Sequence, residues 1–206
     1  MSSTVTRVIA GGEGNCLDGS MNIFRGLDLI AVAALCTAAT GYAVTPGVDP
    51  ALLAKASGGD PSAEIELGDM YAAGADVPQD LKQAAEWYRK AAEQGSAAGE
   101  VHLAELYRDG RGVARDKTQA AEWYRKAAEQ GEAGAQGTLA MLYVMGQGVP
   151  QSDVEAYYWL DLAAAVKSAN QDQYIANRQN VGTRITVEDL LAVQVRAARW
   201  KSAHPR

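Results

Sequence analysis

Histidine is the side chain best matched to proton transfer near neutral pH, and the chain has two, His102 and His204. His102 precedes Glu105 by three residues, so on a helix an imidazole and a carboxylate share one face. One histidine and one carboxylate fall short of the converging ligands that a zinc site takes, and neither His-Glu-x-x-His nor Cys-x-x-Cys occurs. Motifs for nucleophilic or phosphate chemistry, Gly-x-Ser-x-Gly, Ser-x-x-Lys and Gly-x-x-x-x-Gly-Lys, are absent as well. His102 is therefore expected to be an ordinary surface or groove residue, and no catalytic residue, metal or cofactor is expected. Trp87, Trp123 and Trp159 invite a ladder for stacking sugars, yet they lie on the same helical stripe as Ala84 and Ala91 and are expected inside the core.

Elements able to position such side chains follow from composition. The 206 residues are 48% hydrophobic, rich in alanine and glycine, and include a single phenylalanine. That balance suits closely packed helices and lacks the Val, Ile and aromatic runs of a sheet, so an all-α fold is expected. The net charge is -6, with no basic stripe interleaved with aromatics, which argues against nucleic acid as a partner. Glu86, Arg89, Lys90 and Glu93 alternate in sign along a helix, as on a solvated face.

From Pro61 onward the sequence copies itself. Trp87, Trp123 and Trp159 recur every 36 residues, as do Tyr71, Tyr107 and Tyr143, then Leu67, Leu103 and Leu139, then Gly74, Gly110 and Gly146. The same interval separates Val77, Val113 and Val149, and Ala84, Ala120 and Ala156. Each unit reads as two helices, the first marked by Leu67, Met70 and Tyr71 and the second by Ala84, Trp87, Tyr88 and Ala91. Glycines at Gly110, Gly112, Gly146 and Gly148 fit left-handed turns between them, so no phosphate role is required; Asp76 takes the second glycine's place in the first unit. Pro78 and Pro150 precede the second helices, whose expected N-caps are Asp80, Asp116 and Ser152 or Asp153. A helix with one apolar stripe is stable only when neighbours cover it, which predicts an α-solenoid.

Leu-Gly-x-x-Tyr-x-x-Gly at 67 to 74, Val-Pro-Gln-Asp at 77 to 80 and Ala-Glu-Trp-Tyr-Arg-Lys-Ala-Ala-Glu-Gln-Gly at 85 to 95 resemble the Sel-one-like repeat (SLR), a relative of the tetratricopeptide repeat. The second copy, Leu103 to Gly131, departs at Ala104. The third has Val166 and Lys167 where Gln94 and Gly95 stand, so its second helix is expected to run on. The expected organisation is a leader over 1–43, an N-terminal cap over 44–60 with a short helix at Ala51 to Ala56, three repeats over 61–167, and capping helices over 168–206. In the last segment Gln171 to Val181 reads as helix. Thr186 and Asp189 make a capping-box-like start for a final helix carrying Leu190, Val193, Ala197 and Trp200.

Within the leader, Leu29 to Ala39 is an apolar run with Arg25 before it and Gly41-Tyr42-Ala43 after it, the layout of a secretory signal, with Asp28 at its edge. Met21 is a candidate true start, and cleavage is expected near Ala43. Both cysteines, Cys16 and Cys36, would be removed, leaving no disulfide, and Leu35 before Cys36 argues against a lipid anchor. The expected location is periplasmic or secreted, with the membrane met only through export.

In tetratricopeptide-like solenoids, the resemblance implies, first helices line a concave face. Opposite the Leu67 stripe lie Ser62, Ile65, Asp69 and Ala72, then Ala98, Val101, Glu105 and Arg108, then Gly134, Gly137, Met141 and Val144, with Met145 adjoining. Asp69, Val101, Glu105, Arg108, Met141, Val144 and Met145 are the candidate binding residues, acidic at one end and apolar at the other. The expected function is a non-catalytic adaptor of the bacterial envelope that binds another protein. The resemblance also implies a second reading, a binder or enzyme of β-lactam or cell-wall compounds, which in the family goes with paired cysteines absent from these repeats; a third is a purely structural or peptidoglycan-associated envelope component.

Overall fold

A computed structural model describes residues 47–205, all of which are helix or connecting turn. The proposed leader, with Met21, Cys16 and Cys36, lies outside the described residues. The order is α1 (Pro50–Ser57), α2 (Pro61–Ala73), α3 (Leu81–Glu93), α4 (Ala97–Asp109), α5 (Lys117–Glu129), α6 (Ala133–Met145), α7 (Asp153–Ala164), α8 (Gln171–Gly182) and α9 (Val187–Ala203). Three antiparallel hairpins, α2 with α3, α4 with α5 and α6 with α7, stack through α3 on α4 and α5 on α6. The fold is an all-α solenoid. Helix α1 packs on α2 at one end, and both α8 and α9 pack on α7 at the other.

Repetition of sequence becomes repetition of position. Leu67, Leu103 and Leu139 are each the seventh residue of their helix and each is 0% exposed. Trp87, Trp123 and Trp159 are likewise each the seventh residue of a second helix. Gly74, Gly110 and Gly146 end the first helices at φ 73°, 71° and 63°, and each N–H donates to the carbonyl four residues back. Asp80, Asp116 and Ser152 cap the second helices: Asp80 and Asp116 each accept two backbone N–H groups, and Ser152 accepts that of Glu155. Of the two candidates in the third unit, Ser152 is the cap and Asp153 the first helical residue.

The second glycine of each joint explains how units fit together. A side chain at Gly112 would meet the Leu81 carbonyl oxygen at 2.1 Å, and one at Gly148 would meet that of Lys117 at 2.0 Å. Leu81 and Lys117 open the second helix of the preceding unit. Asp76 also has a positive φ, 62°, the one non-glycine among the described residues to do so. At the first joint the close neighbour is Gly47, ahead of α1: a side chain there would meet the Asp76 carbonyl oxygen at 1.7 Å. Asp76 adopts the left-handed angle, which Asp tolerates.

Two expectations about the third unit need correction. Helix α7 does not run on; it stops at Ala164, because Ala165 and Val166 donate to Leu162 and Ala163 in a tightened last turn and the Gln171 side chain donates to the Ala164 carbonyl. Gly137, placed by spacing on the open face, is buried because α8 lays Tyr174 on it; an added Cβ would stand 2.3 Å from that ring.

A buried carboxylate column is the other regular feature. Glu64 and Glu100 are 2% and 3% exposed, and each accepts a hydrogen bond from the glutamine ending its hairpin, Gln94 at 2.7 Å and Gln130 at 2.8 Å. In the third unit that glutamine is Val166, and the column residue is the neutral Gln136, bonded to the Ala128 carbonyl at 3.0 Å. Loss of the donor thus goes with loss of the buried charge, as desolvation demands. Burial is the main influence raising Glu100 above the ordinary carboxyl value, against the charge of Lys126 and the Gln130 hydrogen bond. A raised native value means the folded state binds the proton more tightly than the unfolded chain, so this group's contribution to stability falls as pH rises from the ordinary carboxyl range through the native value. Glu100→Gln keeps the hydrogen bond with Gln130 and removes the charge. In urea melts it should be more stable than the parent at about pH 7, with the difference vanishing toward about pH 4. A variant less stable at neutral pH would show that Lys126 outweighs desolvation.

Candidate functional site

The candidate residues sit on the first helices, one set per unit. Asp69 on α2 and Glu105 on α4 are exposed, and Met141 holds the matching position on α6, half-buried. Arg108 is half-buried, and Met145, at the end of α6, is 51% exposed. Val101 and Val144 are half-buried and pack against the main hydrophobic cluster, so they help wall the core and offer only an edge to solvent.

At its acidic end the row is built by side chains from three helices. The Tyr88 hydroxyl, reaching across from α3, donates to Asp69 Oδ1 at 2.7 Å. It can reach because Gly68 lies beneath the ring: a Cβ there would stand 2.4 Å from Tyr88 Cε1. His102 of α4 stacks on the Tyr88 ring, centroids 4.8 Å apart and planes 21° from parallel. Its Nδ1 is 3.8 Å from Glu105 Oε2. Burial is the first cause, and the bond to Asp69 the second, of a Tyr88 phenol raised far above its ordinary value; this hydroxyl stays a donor. The Glu105 carboxylate is the main influence raising His102 above the ordinary imidazole value; partial burial opposes it, and the charge of Asp69 adds to the rise.

One unit further, Arg108 donates from Nη1 to the Tyr124 hydroxyl at 3.1 Å and grips Asp109 through Nε at 2.8 Å and Nη2 at 3.0 Å. Tyr124 is pushed up to about 12 by burial. Arg108 is thus held by Asp109 and Tyr124, while Asp69 and Glu105 are the exposed carboxylates of the row. At the apolar end Asn177 of α8 points its amide at Met141 Sδ, 3.8 Å away, and Gln147 does the same to Met145 Sδ at 3.6 Å.

Spacing alone places Asp69, Glu105 and Met141 in one row and leaves out Tyr88 and Asn177, which join it from other helices; His102, expected at the surface or in the groove, joins it from a neighbouring turn of α4. A signal for Tyr88 was present: Tyr88 and Tyr124 follow the tryptophans in the same repeat column, and in the first unit the residue below is glycine. No comparable signal exists for α8, which lies outside the repeat. Among the described residues no group of three or more His, Cys, Asp or Glu side chains is placed to hold a metal ion, and no helix is long and apolar enough to cross a membrane.

The second face missed by spacing is on α9. Val193 and Ala197 are buried, while Val187, Leu191 and Val195 form an exposed apolar stripe, 69%, 58% and 53% exposed. The tail is held electrostatically: Asp161 of α7 accepts Arg178 of α8 at 2.6 Å and Lys201 of α9 at 2.7 Å, and Glu155 accepts Arg196 at 2.6 Å.

A stack of helical hairpins with an uninterrupted row of side chains on its first helices defines the class of helical-repeat scaffolds. The chain belongs to the Sel1 repeat family, whose model matches residues 61–96, 97–132 and 133–166. Sel1 repeat proteins are typically protein-interaction modules and generally non-catalytic scaffolds. Among solved structures, the chain is similar to c5321, a protective antigen present in uropathogenic Escherichia coli strains and displaying an SLR fold, at 32% identity and TM-score 0.65. That match covers 73% of this chain and 32% of c5321, so the chain spans about a third of that protein's length. It is also similar to a Sel1 repeat protein from Oxalobacter formigenes, at 35% identity and TM-score 0.57, over 63% of this chain and 95% of that one. Comparison with curated proteins gives no match.

Proposed function

We propose that the protein is a non-catalytic adaptor of the bacterial envelope, binding an extended or helical segment of a partner protein along the concave face formed by α2, α4 and α6. The observation that carries this reading is the row Asp69, Glu105 and Met141, at equivalent positions on successive first helices and left at least partly open by the hairpin core. The row changes from acidic to apolar, which fits a segment with a basic group at one end and an apolar group at the other. Methionine suits the apolar end because its side chain adapts to varied surfaces. Val101, Arg108, Val144 and Met145 shape the rim of the strip.

The test starts with crosslinking capture in native cells, followed by affinity measurements with the captured protein. Charge reversal by Asp69→Lys with Glu105→Lys should weaken binding by about tenfold or more, because attraction to a basic group becomes repulsion. Unchanged affinity removes the electrostatic half of the reading. Export is part of the same proposal, supported by the Leu29 to Ala39 run and the small residues up to Ala43. Mass spectrometry of the mature N-terminus should then find it near Val44; an intact N-terminus on protein from native cells would place the adaptor elsewhere.

A further inference from the structure

His102 stands among both carboxylates on which the docking strip depends. Its ring is stacked on Tyr88, which is itself bonded to Asp69, and its Nδ1 faces Glu105 at 3.8 Å. The groups acting on it are Asp69 from α2, Tyr88 from α3 and Glu105 on its own helix, while Arg111 in the turn after α4 acts on Tyr88. From α5, Tyr124 lies within the influence of Glu105 and is engaged by Arg108. Tyr88 stays neutral, so the one group in this cluster whose charge changes near neutral pH is the imidazole.

We propose that protonation of His102 gates the docking of a cationic peptide segment at this strip. Neutral, the imidazole leaves Asp69 and Glu105 to an incoming lysine or arginine; protonated, it places a positive charge beside Glu105 and within the influence of Asp69 and competes with the partner. The inference rests on the docking reading above and adds its regulation. Two carboxylates favour the protonated ring, which moves the transition upward from the ordinary imidazole range, so the gate closes as pH falls and opens as pH rises.

The probe is a fluorescein-labelled hexa-arginine peptide, titrated at low salt into the full chain. Binding should weaken about two- to fivefold between about pH 8.5 and about pH 5.5, the range expected of one partly exposed charge. His102→Gln should bind equally at both pH values, while His204→Gln should keep the parental response. With only two histidines in the chain, NMR can follow the His102 ring directly, and its midpoint should fall in Glu105→Gln. A pH response surviving in His102→Gln, or a midpoint indifferent to Glu105, overturns the gate. Binding that is abolished in the Asp69→Lys, Glu105→Lys protein but flat with pH overturns the gate alone. No binding at about pH 8.5 overturns the docking reading and the gate with it.

Discussion

Gly112→Ala is expected to lower stability by about 3 kcal/mol or more, a drop of roughly 6–12 °C in melting temperature for a chain of this size. Two costs combine. Residue 112 has φ 72°, which penalises any Cβ, and the added atom would stand 2.1 Å from the Leu81 carbonyl oxygen and 2.4 Å from its carbon. Both obstacles are backbone at the opening of α3, so relief requires one hairpin to move against the next. Gly95→Ala is the matched control: its φ is 82°, yet nothing lies within 4 Å of the new atom. It should cost about 1 kcal/mol, the backbone strain alone. Thermal melts followed by circular dichroism read both, and equal losses would show that the inter-unit contact is soft.

Trp159→Ala should cost about 3 to 5 kcal/mol, since a large ring is removed from a site that cannot close over it. Trp159 is 4% exposed, meets Tyr158 edge-on at 4.9 Å, and shares a cluster with Tyr174, Val181, Val193 and Ala197 of the terminal helices. Because units in a solenoid stabilise only their neighbours, the loss should concentrate at the C-terminal end, with amides of α7, α8 and α9 exchanging faster than those of α2 and α3. Trp123→Ala should cost less, about 2 kcal/mol, since that ring is only partly buried and carries the Lys126 ammonium 3.6 Å above it. If both variants melt together, the two tryptophans are equivalent in energy as well as in position.

The hairpins were legible because every determinant of a unit is local and is written three times. Leucine stripe, left-handed glycine and N-cap lie within one period, and repetition separates them from chance. The inter-unit contacts of Gly112 and Gly148 were half legible: the glycines read as turn formers, and their second task, making room for the preceding helix, needs two units in space. Legibility stopped where the period stopped. Val166 and Lys167 in place of Gln94 and Gly95 predict that helix α7 runs on, but it ends in a tightened backbone turn whose Ala164 carbonyl is taken by Gln171, a residue outside the repeat. Gly137 looked open for the same reason, since Tyr174 arrives from α8. In the candidate site the row of equivalent positions followed from helical geometry, whereas Tyr88 and His102 joined it by tertiary approach. The buried Glu64 and Glu100 stood in plain view as a column, but nothing in their polarity betrays burial without their partners Gln94 and Gln130.

Asp76 bears on anyone who would lengthen this array by grafting. A full unit spliced ahead of α2 brings the opening carbonyl of its second helix onto residue 76, where a side chain already stands, so the splice needs Asp76→Gly to seat. Duplicating the middle unit in place needs no such repair, because Gly112 and Gly148 already leave that space empty. Growth by internal copying is the cheaper route, and a single aspartate makes it so.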